Sequence, residues 1–275
     1  MKAMATQLEK GRAFRALHER EGAFVIPNPW DAGTARMLAL VGFESLATTS
    51  AGCAFALGKA DGTVALLAAM AQIASIAAAT DLPVSGDLEN GFGDAPETVA
   101  ETIRMAAAAG LVGGSIEDAT GRKDKPIYEI ELAIERIAAA AEAARKLRFP
   151  FTLTARAENY LYGRADLKDT IHRLRVYQEA GADVLYAPGL TCREDIAAVV
   201  RSVDRPVNVL VGLAGATFTL AELAELGVKR VSIGSALSRA AMGTVMAAAK
   251  EMKERGTFTF AKKAAGLKEL NQLFG

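Results

Sequence analysis

The segment SGDLENGFGD, residues 85–94, places two carboxylates where a buried strand is expected to end. Asp87 and Glu89 stand two residues apart, after the apolar lead-in DLPVS. Because alternate residues of a strand point to the same face, both acids are expected to point to one side. Gly91 and Gly93 would then let the chain turn away without a steric clash. The alternative is that the two acids only cap a loop.

Further charged residues end the next apolar runs of the chain. Glu117 and Asp118 close the run GGSIED, and Arg156 and Glu158 close PFTLTARAE. Converging carboxylates repel one another, and a divalent cation would relieve that repulsion. Because the donors are oxygens, with no usable His or Cys among them, the set favours Mg²⁺ or Mn²⁺ over zinc.

Arg156 and the segment Thr49-Ser50 are the candidates for binding a substrate. A guanidinium at a strand end can bind a carboxylate through two parallel hydrogen bonds. The alternative for Arg156 is an ion pair with Glu158 or Glu117. Hydroxyl and backbone N–H groups at Thr49 and Ser50 would suit a carboxylate or enolate oxygen. The small residues that follow them are also compatible with a simple tight turn.

The elements that must position these residues alternate regularly. Eight short apolar runs are separated by alanine-rich segments of helical periodicity, and several of these segments end in glycine. This pattern predicts a (β/α)8 barrel formed by residues 1–275 as one domain, with an extra N-terminal helix. A doubly wound sheet is disfavoured because no G-x-G-x-x-G turn is present. The predicted strands lie at 23–28, 45–50, 82–87, 113–118, 150–158, 182–188, 205–212 and 229–235.

Composition excludes several classes of function. Lys plus Arg and Asp plus Glu each total 32 in 275 residues, so charge gives no reason to expect a nucleic acid or membrane partner. The N-terminus lacks an apolar signal region, and the alanine-rich stretch 63–80 is expected to be a buried helix, so a cytoplasmic location is expected. Cys53 and Cys192 cannot form a disulfide framework. His18 and His172 are interpreted as surface residues of helices.

Taken together, these motifs resemble the isocitrate lyase/phosphoenolpyruvate mutase superfamily. The resemblance extends from about residue 12 to residue 255 and includes NPWDAGTARML, GFESLATTSAG, LGKADG, LPVSGDLENGFGD, GLVGGSIEDAT, TARAEN, AGADVLYAPGL, RPVNVL and GVKRVSIGSAL. It implies an eighth helix exchanged between subunits and a homotetramer built as a dimer of dimers. The segment SRAAMGTVMAAAKEMKERG is apolar on more than one face, which agrees with burial between subunits.

The resemblance also implies roles for individual residues. Asp87 would bind the metal directly, while Asp61, Glu89 and Glu117 would contact it through water. Asp61, Glu117 and Arg156 are therefore predicted to be catalytic. The residues predicted to bind substrate are Thr49, Ser50, Ala51, Arg156 and Asn208.

One departure from the superfamily pattern affects the predicted reaction. Isocitrate and methylisocitrate lyases carry Lys-Lys-Cys-Gly-His after strand 4, whereas this chain has GRKDKPIYE. The characteristic Asn of the phosphonomutase lid is also absent, so the chain resembles the phosphonomutase-like branch. Tyr128, Lys123 and Lys125 are conceivable bases, and none is favoured. Residues 120–128 are predicted to form a mobile lid; the alternative is an exposed connection.

The predicted activity is that of a Mg²⁺-dependent lyase. It would cleave or form a C–C bond in a small 2-hydroxy or 2-oxo dicarboxylate through a metal-bound enolate, with a 2-oxo acid as substrate or product. One alternative is a phosphonomutase or phosphonate hydrolase acting on a phosphonopyruvate-like substrate, with Lys59 and Arg122 as possible phosphonate contacts. A non-catalytic 2-oxo acid binder is the other.

Overall fold

A computed structural model describes residues 5–212 and 217–275. In this part of the chain, eight parallel strands form one sheet in the order β1-β8-β7-β6-β5-β4-β3-β2. The predicted (β/α)8 barrel is confirmed, and each strand is shorter than its predicted apolar run. The strands are β1 Phe24–Ile26, β2 Leu46–Ala47, β3 Val84–Asp87, β4 Gly113–Glu117, β5 Thr152–Arg156, β6 Val184–Tyr186, β7 Val207–Leu210 and β8 Arg230–Ser232.

Helices follow the strands and surround the barrel, and α1 precedes β1 as expected. Capping is local: Thr6 caps α1 in a capping box with Glu9, and Gly42 ends α2 with φ 103°. Over the described residues the helices are α1 Gln7–Glu19, α2 Ala32–Val41, α3 Ser50–Ala56, α4 Leu66–Ala78, α5 Pro96–Ala108, α6 Ile130–Arg145, α7 Leu167–Glu179, α8 Arg193–Ser202, α9 Leu220–Glu225, α10 Ala236–Arg255 and α11 Leu267–Phe274, with 3₁₀ turns at Asn159–Tyr162 and Thr259–Lys263.

The two ends of the sheet meet through side-chain and backbone hydrogen bonds. Ala47 donates its N–H to the carbonyl of Pro27 at 3.1 Å, which joins β2 to the end of β1. The Asn28 amide donates to the carbonyl of Thr48 at 3.0 Å and accepts from the N–H groups of Ile233 and Gly234. Asn28 therefore links the ends of β1, β2 and β8 beside the mouth of the barrel.

Helix α1 covers the N-terminal end of the barrel, and this placement makes the interpretation of His18 wrong. Phe14 and Leu17 of α1 pack with Phe24 and Ile26 in a separate apolar cluster. His18 lies on the same face of α1 and is 7% exposed. Its ring therefore faces the interior of the barrel, whereas His172 is exposed as predicted.

Helix α10 is exposed along most of its length. Only Ser238 and Glu251 are buried among its 20 residues, while Val245 and Met246 are 64% and 72% exposed. Such apolar exposure agrees with the predicted exchange between subunits, which stays a prediction. The stretch 63–80 forms the packed helix α4, and none of the described helices is long and apolar enough to cross a membrane.

Candidate active site

The carboxyl ends of β3, β4 and β5 bring Asp87, Glu117 and Arg156 together. Glu117 and Arg156 are register partners on adjacent strands, and Asp87 is one strand further along. The Arg156 guanidinium lies 3.0 Å from Asp87 Oδ1 and 3.1 Å from Glu117 Oε2. It also lies 2.8 Å from Glu158 Oε1. The ion pairs that were the alternative for Arg156 are therefore present, and a third pair joins it to Asp87.

Glu89 reaches this cluster through a turn and not through strand alternation, so the reasoning from strand periodicity is wrong. Strand β3 ends at Asp87, and Leu88 is fully buried. Glu89 has φ 49°, a left-handed conformation that is uncommon for a residue other than glycine. Its carbonyl accepts the N–H of Glu117 at 3.0 Å, which fixes the turn against β4. Backbone strain of this kind is often found at functional sites.

The segment after β2 forms hydrogen bonds to Asp87 from two directions. The Thr48 hydroxyl accepts the N–H of Asp87 at 2.9 Å, and the N–H of Ser50 donates to Asp87 Oδ2 at 3.1 Å. Thr49 caps α3 by accepting the N–H of Gly52, so its hydroxyl is already engaged. Ser50 and Ala51 begin the first turn of α3 beside the carboxylates.

The surroundings of Glu89 and Asp61 disfavour the charged form of each carboxyl group. Burial, followed by the charges of Asp87 and Asp61, raises the pKa of Glu89 to about 7. Asp61 is exposed in the loop between α3 and α4, where partial desolvation and then Asp87 raise its pKa, while a hydrogen bond from Ser50 acts in the opposite direction. Arg156 lowers both pKa values less than these effects raise them.

Among the described residues, Arg156 is the one guanidinium in contact with the central acids. Burial raises the pKa of Glu117 well above its usual range despite the charge of Arg156. Burial alone would lower the pKa of Arg156, but the carboxylates of Glu158, Glu117 and Asp87 raise it well above the ordinary value. One cation therefore neutralises only part of the negative charge at the mouth of the barrel.

These residues fit a hard divalent cation bound mainly through water. The donors are carboxylate oxygens, which Mg²⁺ prefers, and their excess negative charge would be relieved by a cation. Among the described residues, no group of three or more His, Cys, Asp or Glu is arranged to hold a metal ion directly. A single direct protein ligand with several waters suits Mg²⁺, which dehydrates reluctantly. Asp87 is the central acid of the cluster.

Asn208 lies in a polar layer just inside the barrel. Its amide donates to Ser232 Oγ at 2.9 Å and accepts from Arg230 Nε at 2.9 Å. Arg230 also donates to Thr154 Oγ1 at 2.9 Å, and burial lowers its pKa to about 10. Both ends of the Asn208 amide are thus engaged, and its role toward substrate stays a prediction.

Three residues of the site were missed by the sequence analysis. Tyr186 places its ring 5.1 Å from the Arg156 guanidinium, and its position at the end of the predicted sixth strand was a usable signal. Gln72 of α4 lines a small cavity with Ser50, Asp87 and Glu89 among other residues, and its Oε1 is buried without a partner in the described residues. Burial raises the pKa of Tyr162, and the nearby charge of Glu117 raises it further. No pattern in the sequence marked Gln72 or Tyr162.

The loop predicted as a lid is fixed at both ends. Ala119 and Ile127 form an antiparallel bridge, and Tyr128 is 1% exposed. The Tyr128 hydroxyl donates to Asp94 at 2.5 Å, and Arg122 pairs with the same carboxylate at 2.6 Å. These contacts do not favour Tyr128 as the base or Arg122 as a phosphonate contact. The exposed tip is residues 121–125, and its mobility stays a prediction.

Cys53 does not replace the cysteine that the loop lacks. It lines the same small cavity as Gln72. Burial raises the pKa of its thiol to about 12, and Cys192 is exposed elsewhere. A thiol with such a pKa stays protonated at neutral pH and is a weak base.

The chain belongs to the phosphoenolpyruvate phosphomutase family, whose model matches residues 14–253. The predicted superfamily is confirmed, and its members are lyases and mutases that use Mg²⁺. An uncharacterized protein of Mycobacterium tuberculosis is 35% identical over 81% of this chain and 82% of its own length.

Solved structures show how widely this fold is used. A protein of Burkholderia cenocepacia J2315, described as a lyase/mutase, has 63% identity and a TM-score of 0.96, covering 98% of this chain and 96% of its own. A 2,3-dimethylmalate lyase has 26% identity and a TM-score of 0.86, covering 97% and 95%. A phosphonopyruvate hydrolase, solved with oxalate and Mg²⁺, has 24% identity and a TM-score of 0.86 over 97% and 95%, which shows the shared fold alone.

Proposed function

We propose that this protein is a Mg²⁺-dependent carbon–carbon lyase that acts on a small 2-hydroxy or 2-oxo dicarboxylate and releases or consumes a 2-oxo acid. The observation that carries the proposal is the contact of Arg156 with Asp87 and Glu117, at 3.0 and 3.1 Å, beside the N–H of Ser50. This arrangement puts a carboxylate-binding guanidinium next to a set of Mg²⁺-type donors. The similarity to a 2,3-dimethylmalate lyase supports the same class of reaction.

In this proposal Asp87 is the direct metal ligand, and Asp61, Glu89 and Glu117 orient the metal-bound waters. Mg²⁺, when bound, would polarise the 2-oxo oxygen and stabilise negative charge developing on it. Arg156 binds the carboxylate next to that oxygen, and Glu158 holds the guanidinium from the inner side at 2.9 Å from Nε. Ser50 and Ala51 supply further donors, with Thr49 shaping the turn and Asn208 making a lesser neutral contact.

The residues around the cluster limit the reaction. Tyr186 lies against the Arg156 guanidinium and helps to keep it in the plane that a carboxylate requires. The chain offers no thiolate at the site, because burial raises the pKa of Cys53 to about 12. The proton that leaves or joins the substrate carbon is therefore carried by a group other than Cys53.

A substrate screen tests the proposal. Substituted malates and related 2-hydroxy dicarboxylates would be incubated with enzyme and Mg²⁺, and 2-oxo acid release followed with lactate dehydrogenase and NADH. The expected result is release from at least one compound, abolished by EDTA and by Asp87→Asn. Phosphate release from phosphonopyruvate would instead favour the phosphonate hydrolase alternative. Binding of 2-oxo acids without turnover of any compound would favour a non-catalytic binder.

We also propose that the chain is a homo-oligomer built on α10, with a second copy covering its exposed apolar face. Five large apolar side chains along this helix are 38–72% exposed: Leu237, Met242, Val245, Met246 and Met252. Monomeric proteins rarely expose so large an apolar surface. Light scattering at micromolar concentration should give a dimer or tetramer mass. A monomer mass that persists at the highest concentration would refute this proposal.

A further inference from the structure

Two neighbouring cavities open at the N-terminal end of the barrel, opposite the carboxylate cluster. Their volumes are about 340 and 380 Å³, and both are lined by Arg15 and Asp183. Their walls include Phe151, Asp183 and Pro206, which stand just before β5, β6 and β7. Each volume falls in the range that accommodates a small ligand. The cavity inside the barrel mouth is smaller, at about 60 Å³.

Arginine dominates the charge of the first cavity, whereas the charges that line the second cancel. Arg15, Arg145 and Arg148 line the first, against the single acid Asp183. The second has Arg15 and Arg205 with Asp183 and Glu19, together with His18. His18 adds no charge at neutral pH, because burial and then Arg230 lower its pKa to about 3. The whole chain is balanced at 32 charges of each sign, so this region is locally positive.

The four arginines (Arg15, Arg145, Arg148 and Arg205) are not committed to internal partners. Among the described residues none forms an ion pair with a carboxylate. Asp183 is the nearby acid, and its Oδ2 already accepts the N–H of Leu153 at 2.8 Å. Burial raises the pKa of Asp183. The hydrogen bond from Leu153 opposes that rise most strongly, and the charges of Arg15, Arg205 and Arg145 oppose it less. The guanidinium groups are therefore close to Asp183 without pairing with it.

Arg145 is positioned by the backbone beside it. Gly181 has φ +109°, and a Cβ built there would lie 2.2 Å from Arg145 Nη2 and 2.9 Å from the Cβ of Ala141. The guanidinium thus occupies the space that a side chain at position 181 would take. Arg145 is nevertheless exposed, as are Arg15, Arg148 and Arg205, so the guanidinium groups are accessible to an anion from solvent.

We propose that the first cavity is a second ligand site, which binds a small phosphate-bearing anion between Arg15, Arg145 and Arg148. A phosphate group carries close to two negative charges at neutral pH and three acceptor oxygens. It can accept hydrogen bonds from several guanidinium groups at once, whereas a single carboxylate has two oxygens and one charge. The site lies at the opposite end of the strands from Arg156, and it does not depend on the proposed lyase activity.

Calorimetry with inorganic pyrophosphate tests the site, in EDTA and at constant ionic strength. The test variant is Arg145→Gln/Arg148→Gln. The matched control is Arg12→Gln/Arg201→Gln, which removes the same charge from exposed residues that line neither cavity. Wild type and control should each bind about one pyrophosphate, and the test variant should bind at least about tenfold more weakly because it loses two charge-assisted contacts. Circular dichroism would verify that both variants are folded.

Three results would overturn the proposal. The first is absence of pyrophosphate binding by wild type. The second is an equal loss of affinity in control and test variants, or no loss in either, because the anion would then be bound elsewhere or by general charge. The third is equal or tighter binding of the tricarboxylate tricarballylate, which would exclude phosphate as the recognised group.

Discussion

Replacement of Arg156 by lysine is the sharpest test of how the site holds a substrate. Arg156 contacts three carboxylates at 2.8–3.1 Å and is 13% exposed. Lysine keeps the positive charge, but one ammonium group cannot reproduce the planar fork. If Arg156 binds the substrate carboxylate, the binding free energy of oxalate at saturating Mg²⁺ should weaken by about 1.5–3 kcal/mol, which is a roughly 10-fold to 150-fold rise in Kd. Isothermal titration calorimetry measures this directly.

A second variant separates binding from folding. Arg156→Met leaves Asp87, Glu117 and Glu158 buried without their cation, which should lower the free energy of unfolding in EDTA by about 3–5 kcal/mol. Urea unfolding measures that loss. The control is Arg104→Lys, at an exposed residue paired with Glu101, which should change neither quantity. Wild-type oxalate affinity in Arg156→Lys, together with a destabilised Arg156→Met, would mean that Arg156 is only a structural partner of the acids.

Three further outcomes are expected. Asp87→Asn should weaken Mg²⁺ binding at least about tenfold by calorimetry, and unchanged affinity would remove Asp87 as the direct ligand. Lowering the pH from 6.5 to 5 should reduce the free energy of unfolding by about 2 kcal/mol through His18, because the pKa of His18 is about 3 in the folded chain and about 6.5 in the unfolded chain, which therefore binds the extra proton. In His18→Gln the free energy of unfolding, measured in urea, should depend less steeply on pH, and equal slopes for the two proteins would contradict this. Gln72→Met removes the hydrogen bond that Gln72 Nε2 donates to the Cys53 carbonyl at 3.1 Å, and it should lower the free energy of unfolding in urea by about 1–3 kcal/mol; an unchanged value would mean that this contact does not contribute to stability.

The sequence predicted the barrel because its signals are local. Each strand is an apolar run, and glycines such as Gly42 end helices where a left-handed residue is needed. The proximity of Asp87, Glu117 and Arg156 could be predicted because the parallel strands of a barrel all end on the same side. Register on adjacent strands, which local signals do not specify, then determines that Arg156 faces Glu117 directly.

What the sequence did not predict depends on long-range packing. The burial of His18 follows from α1 lying across the end of the barrel, which its amphipathic pattern alone does not indicate. The left-handed conformation of Glu89 is imposed by Leu88 and by the hydrogen bond to Glu117, because local preference opposes it. The orphan acceptor of Gln72 is visible only after α4 is docked beside Asp87.

The ion pairs of Arg156 have a consequence for how the protein matures. In zinc fingers and many other small metal-binding domains, the chain stays unfolded until the metal binds. Here the guanidinium between Asp87, Glu117 and Glu158 partly compensates those charges from within the chain. The barrel is therefore expected to fold in the absence of a divalent cation, so that supply of the ion would control activity and not the survival of newly made protein.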